Sequence, residues 1–108
     1  VRGLRPDFRA LAALGNTLNI VTAPGAGDAS GAEVVSRAFA PAAGIDEDPV
    51  TGSAHSVLAP YWSARLGRPR FTAFQASARG GHVDCELAGD RAILRGRCVT
   101  VIEGSFLL

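Results

Sequence analysis

Lysine is absent from this sequence: all 11 basic residues are arginine, and against 10 acidic residues they leave a formal net charge of +1. So small an excess gives no electrostatic footprint for nucleic acid. Arg2, Arg5 and Arg9 near the start, and Arg65, Arg68 and Arg70 further on, form local clusters. No aromatic residues interleave them as a stacking platform requires, and they read as solvated faces. The lack of lysine beside abundant alanine and glycine reads as the base composition of a GC-rich genome rather than as chemistry. Cysteine is scarce too. Cys85 and Cys98 are far apart, with no CxxC or Cys/His ligand spacing, so a zinc site is not expected and two buried, reduced thiols in strand-like segments are. No signal peptide opens the chain and no apolar run is long enough to span a bilayer, which together point to the cytoplasm and away from a membrane.

Several catalytic signatures are also missing. The Gly-rich stretch Pro24–Gly31 lacks both GxGxxG and Gly-Lys-Ser/Thr and leads into a strand rather than a helix, so it reads as a hairpin connection and not a phosphate cradle. A Ser/His/Asp hydrolase would need a strained GxSxG-type turn, and there is none. Asp46, Glu47, Asp48 and His55 match neither the EF-hand pattern nor HExxH. A metal site is therefore not expected.

What is present is one domain's worth of chain: 108 residues, 47% apolar and 19% charged, enough for a single core. Residues 5–15 read as a short surface helix with Pro6 early and Gly15 as the stop. Strands are expected over 18–23 and 32–39. From Ser53 to Leu66 apolar residues fall on nearly every side of a helix, the signature of a buried one. Pro60 removes the N–H that would pair with the Ser56 carbonyl, so a kink is expected there, with the Ser56 hydroxyl or water covering the loss. Gly67 sits where a left-handed cap belongs. Four further strands are expected over 71–76, 82–87, 91–94 and 97–103, with turns at 79–81 and 89–90. Val83, Cys85 and Leu87 alternate with Asp84 and Glu86, so one face of that strand is buried. The fold class implied is α+β, a curved, mostly antiparallel sheet or barrel around one central helix.

The most informative segment runs from Gly44 to His55, Gly-Ile-Asp-Glu-Asp-Pro-Val-Thr-Gly-Ser-Ala-His. It places carboxylates and hydroxyls immediately before the apolar helix. Pro49 biases Asp48 out of the helical region, and Gly52 removes a Cβ where a small molecule would approach. The first-turn N–H groups would then face an anion. Asp48 and Ser53 are the candidate catalytic residues, and Thr51, Gly52 and Ala54 the candidate substrate-binding residues. A plainer possibility stands beside this one: Asp48 and Thr51 simply cap the helix. His55 reads as a satisfied, partly buried histidine outside the catalytic set.

Arg37-x-Phe39-x-Pro41, the Gly44–His55 string, Leu58-Ala59-Pro60-Tyr61-Trp62, Leu66-Gly67, Gln75-x-Ser77-x-Arg79-Gly80-Gly81 and Gly89-Asp90-Arg91 together resemble the C-terminal half of a PhzF-like (phenazine biosynthesis-like) isomerase/epimerase. The resemblance covers about Leu18 to Gly104. It implies a diaminopimelate epimerase-like fold of two pseudo-symmetric domains, with residues 1–108 forming one of them and the active site lying in the cleft between the two. It also implies cofactor-independent proton transfer between carbons of a small carboxylate-bearing substrate. In that family an Asp and a Ser of the DPxTGS string contribute, and by position these are Asp48 and Ser53. A general-base Glu and a His come from the other half. Diaminopimelate epimerase uses two thiols, but Cys85 and Cys98 lie outside the motif, which disfavours a thiol racemase. Glu47 is a substitute base only in principle, and Glu33 reads as a strand surface residue.

Two functions are therefore in contention. One is an isomerase domain that works with an N-terminal half. The other is a standalone, non-catalytic domain that binds a small anion or self-associates, a homodimer imitating the missing half. An unpaired cleft face predicts exposed apolar surface and therefore self-association or a partner, whereas a polar face and a monomer would favour the standalone domain.

Overall fold

The computed structural model describes residues 1–107. A short helix α1 (Phe8–Ala12) precedes strands β1 (Asn19–Pro24) and β2 (Val34–Phe39), a 3₁₀ turn (Pro41–Ala43) and helix α2 (Gly52–Leu66). Strands β3 (Arg70–Gln75), β4 (Gly81–Ala88) and β5 (Arg91–Arg95) follow. The five strands form one sheet in the order β1-β2-β3-β4-β5. Every pairing is antiparallel except β2 with β3, which is parallel and needs the crossover that α2 provides. The expected mostly antiparallel α+β sheet around one helix is the fold observed.

Alternation decides which side chains meet the helix. On β3, Phe71, Ala73 and Gln75 are buried while the residues between them are not. Val83 and Cys85 of β4 do the same. With Val34 of β2 they pack on Leu58, Ala59 and Trp62 of α2, and Ile20, Val50, Leu66, Ala92 and Leu94 border this core. Strand β2 is buried on both faces, since Val35 and Phe39 are also covered. The N-terminal segment supplies that second cover: Phe8 packs on Phe39 at 6.2 Å between ring centroids, and Arg37 Nη1 donates to Leu4 O at 2.8 Å. Asp7 caps α1 by accepting from Ala10 N at 3.0 Å, and the helix closes after five residues instead of spanning 5–15.

Several expectations are corrected. Helix α2 is not buried all round. Its inward stripe is Ala54, His55, Leu58, Ala59, Trp62 and Ser63, whereas Val57 and Tyr61 on the other side are 62% and 43% exposed. A single sheet covers one side of a helix, and no second layer lies over the other among the described residues. Residues 97–103 form no strand. Beyond Gly96 the chain leaves the edge strand β5, and residues 97–103, paired with no other strand, are exposed to water. Cys98 is accordingly exposed, not buried, while Cys85 is buried as expected. Helix α2 runs through Pro60, which is exposed, and the Ser56 hydroxyl donates to Ser53 O at 2.7 Å instead of answering the proline. Gly67 ends the helix at φ 68°, the left-handed cap expected. Glu33 is half-buried just ahead of β2, paired with Arg68 and accepting from Thr72 N at 2.8 Å. Among the described residues no helix is long and apolar enough to cross a membrane.

Candidate functional site

The loop from Gly44 to Val50 and the first turn of α2 are fastened to the sheet by side chains whose roles the sequence did not announce. Arg37 of β2 holds Glu47 with two parallel bonds, Nε to Oε1 at 2.7 Å and Nη2 to Oε2 at 2.9 Å, both side chains largely buried. Such a fork fixes geometry as well as charge. Glu47 is therefore committed to Arg37, and the hydrogen bond to it raises the guanidinium's already high pKa. One residue on, Asp48 N donates to Ala38 O of the same strand at 3.0 Å.

Gln75, fully buried at the end of β3, is the second anchor. Its Oε1 accepts from Thr51 N at 2.8 Å, and its Nε2 donates to Asp48 O at 2.7 Å and to Thr51 Oγ1 at 2.9 Å. These contacts orient the amide unambiguously, because a backbone N–H needs the oxygen and a carbonyl needs the nitrogen. They also orient the Thr51 hydroxyl: already accepting from Gln75, it donates its proton to Asp48 Oδ2. Asp48 is thereby held as a hydrogen-bond acceptor. Next to this, Ser77 donates to Pro49 O at 2.7 Å, and Gly81 lets Val50 press against β4, since a Cβ there would lie 2.3 Å from Val50 Cγ2.

Thr51 occupies the N-cap position of α2 with extended dihedrals (φ −116°, ψ 107°), yet makes no side-chain cap bond. Its hydroxyl is turned to Asp48 instead, and Asp48 does not cap the helix either. The plainer capping possibility is thus not what the structure displays. Gly52 and Ser53 are exposed at the head of the helix, while Ala54 is completely buried, backbone included. A Cβ added at Gly52 would meet nothing within 4 Å. Beside Gly52 opens a groove of about 940 Å³ between Val50, Gly81 and the arginines Arg79, Arg95 and Arg97, with Asp84 as its one acid. Arg95 is shared with Glu86 at 2.8 Å.

His55 is completely buried, and its Nδ1 lies 2.7 Å from Thr51 O. Burial pushes its pKa down, partly offset by that bond. Its Nε2 has no partner among the described residues, so the expectation of a partly buried, satisfied histidine is corrected on both counts. Burial, with Asp84 adding, pushes the Cys85 thiol up to about 11, far from a reactive thiolate. Among the described residues no group of three or more His, Cys, Asp or Glu side chains is placed to hold a metal ion. Arg37, Glu47 and Gln75 stand in the strings that carry the resemblance, but their anchoring role was not read from the sequence. The available signal was an amide at an inward position of the Phe71, Ala73, Gln75 alternation, where a polar group requires a partner.

Comparison with known proteins matches residues 1–104 to the family described as phenazine biosynthesis-like protein (PhzC-PhzF). An uncharacterized isomerase of Pseudomonas aeruginosa is 52% identical over 108 residues, covering all of this chain and 40% of that protein. The human phenazine biosynthesis-like domain-containing protein is 46% identical over 92 residues, 84% of this chain and 32% of its own. Among solved structures, a PhzF-family protein of Enterococcus faecalis superimposes with a TM-score of 0.78 at 46% identity, over 87% of this chain and 35% of that one. The chain thus spans about 40% of the length of the bacterial relatives it matches. With the fold and the sequence in agreement, the chain belongs to the PhzF-like, phenazine biosynthesis-like isomerase family.

Proposed function

We propose that this chain is the C-terminal domain of a PhzF-like isomerase and supplies one wall of a cofactor-independent proton-transfer site for a small carboxylate-bearing substrate. The observation that carries the reading is the diverted cap. Thr51 gives its hydroxyl to Asp48, so the exposed head of a 15-residue helix at Gly52 and Ser53, its positive end, is left without a capping side chain. The N–H donors of such a helix head stabilise a carboxylate and the enolate-like charge that grows on it when a neighbouring carbon loses a proton. Ser53, exposed beside them, would add a hydroxyl to the substrate, and Asp48, held by Thr51, would orient or relay a proton. Open space at Gly52 and the arginine-lined groove beside it favour the same class of ligand.

Glu47 is locked by Arg37, so the general base comes from the length that the relatives have beyond this chain. The exposed side of α2 at Val57 and Tyr61 is where that portion would pack, and the setting is cytoplasmic. Solution mass by light scattering at several concentrations tests the packing. Association of this chain with itself or with that portion is expected, and a monomer that binds neither would refute it. The chemistry is tested by proton NMR in D₂O on the two-domain protein with a panel of small carboxylates. Solvent deuterium is expected to enter the substrate carbon, and to do so at least tenfold more slowly in Asp48→Asn and Ser53→Ala. Unchanged exchange in both variants would remove these residues from the site.

A further inference from the structure

Two buried side-chain polar atoms lack a hydrogen-bond partner among the described residues, His55 Nε2 and Ser36 Oγ. They are chemically matched. Thr51 O can only accept, so the 2.7 Å contact requires the proton on His55 Nδ1, which leaves Nε2 as a bare acceptor in a neutral ring. Ser36 carries a hydroxyl proton with nowhere recorded to go.

Their surroundings leave few other choices. Ser36 is paired in register with Thr22 on one side and Gln75 on the other, so the three side chains stand in a row on the helix-facing side of the sheet. The Thr22 hydroxyl donates to Val35 O at 3.0 Å and accepts from Trp62 Nε1 at 2.9 Å. Both hydrogens of Gln75 Nε2 are used on Asp48 and Thr51. Gln75, the row's end member next to Ser36, reaches the N-terminal turn of α2 at Thr51, and the His55 ring is bonded to that same Thr51, so one shared contact ties the row to the ring. A buried acceptor and a buried donor each left unpaired would lose their hydration with nothing in exchange.

We propose that Ser36 and His55 are joined through one internal water molecule, Ser36 Oγ–H and the water directing a proton to His55 Nε2, and that His55 is a positioning residue for the head of α2. Buried waters of this kind link polar groups that cannot quite reach each other. Strand β2 then grips the Gly44–His55 segment at three consecutive positions: Ser36 through His55 to Thr51 O, Arg37 to Glu47, and Ala38 O to Asp48 N. The first of these fixes the carbonyl of the N-cap residue, and with it the direction of the N–H groups just beyond.

The test is nitrogen-15 NMR of the imidazole ring in this chain, with water-to-ring cross-relaxation. The expected spectrum has the proton on Nδ1, an Nε2 shift displaced toward that of a hydrogen-bonded acceptor, and a long-lived water cross-peak at the ring. Ser36→Ala should lose the cross-peak and move Nε2 to a free-acceptor shift. Thr22→Val, its neighbour in the same row, should leave both unchanged. A proton found on Nε2, or an Nε2 signal indifferent to Ser36→Ala, would overturn the proposal. If Ser36→Ala fails to fold, the wild-type tautomer and cross-peak alone decide. None of these readouts involves a substrate, so they succeed or fail independently of the isomerase reading.

Discussion

Gly52→Ala separates the two demands that meet at the head of α2. Gly52 is the first helical residue, it is exposed, and its φ is not in the left-handed region, so alanine fits its backbone. A methyl group there would touch no heavy atom within 4 Å. Removing glycine's freedom from the unfolded chain stabilises a compatible site by about 0.4–1 kcal/mol. Helix propensity acts in the same direction, with about 1 kcal/mol as its upper bound in a helix interior and less in the first turn. The variant should therefore be more stable by about 0.4–1 kcal/mol, a rise in melting temperature of about 2–8 °C for a domain near 100 residues. The same methyl intrudes where a carboxylate would meet the Gly52 and Ser53 N–H groups. Binding of a small carboxylate such as acetate, followed by amide shifts, should weaken at least about tenfold, or 1.4 kcal/mol. Urea unfolding and the acetate titration can be run on one preparation. A destabilised variant would refute the claim that Gly52 faces open space. A stabilised variant that binds as well as before would refute Gly52 as the point of ligand approach.

Gln75→Ala removes the partner of Thr51 N and Asp48 O at a completely buried position, and should cost about 2–4 kcal/mol in urea unfolding. A loss under 1 kcal/mol would mean that the motif loop holds itself. The folded-state pKa of His55 is lowered, so the fold prefers the neutral ring. Its contribution is complete above the unfolded value of about 6.5 and is lost as pH falls from there through the folded value. Unfolding free energy measured between pH 7.5 and 5 should decline, and His55→Gln should flatten the decline. The lowered carboxyl pKa values of Asp28, beside Arg2, and Glu86, beside Arg70 and Arg95, act only below about 4 and fall outside that window. A disulfide-exchange reagent should titrate Cys98 rapidly and Cys85 only on unfolding, because Cys98 is exposed and the Cys85 thiol is buried with its pKa raised. Two fast thiols would contradict the placement of Cys85.

Periodicity made the elements that bury one face legible. The alternation in Val83-Asp84-Cys85-Glu86 and the Gly67 stop signal specify their own geometry and needed no knowledge of the neighbours. Helix α2 was harder because its composition is apolar on most sides. Ala, Val, Tyr and Pro on the outer stripe look like core in a sequence, and only the position of the sheet decides which stripe is covered. The segment 97–103 failed for the same reason. Val99, Val101 and Ile102 have the β-branched character of a strand, but propensity describes fitness for a pleated, half-buried surface, and here no ladder receives them. At the site, the local string exposed Asp48, Thr51 and Ser53 because their neighbours in sequence are their neighbours in space. Gln75 and Arg37 act on that string from strands 24 and 10 residues away, a relation that only the register of β2 and β3 creates.

That register gives the arrangement at Thr51 a physical meaning. A threonine at an N-cap position ordinarily turns its hydroxyl to the helix, and losing such a cap costs about 1 kcal/mol. Here Gln75 donates to the hydroxyl from behind, which leaves the proton to point at Asp48 and the helix head without its cap. Two strands are committed to that outcome: β3 supplies the amide, and β2 fixes the backbone of Asp48 through Ala38 and keeps Glu47 turned away from the helix head through Arg37. A scaffold indifferent to the helix head could have reached lower free energy by the simpler route of letting Thr51 cap it. The diverted hydroxyl makes sense if the N–H groups it leaves behind are to be satisfied by a ligand, so an anion that binds there should recover about the stability the missing cap forgoes. Raising acetate concentration should accordingly increase the unfolding free energy of the native chain by binding linkage and that of Gly52→Ala much less. Equal increments in the two proteins would mean that the uncapped turn is a cost of the fold and not a binding device.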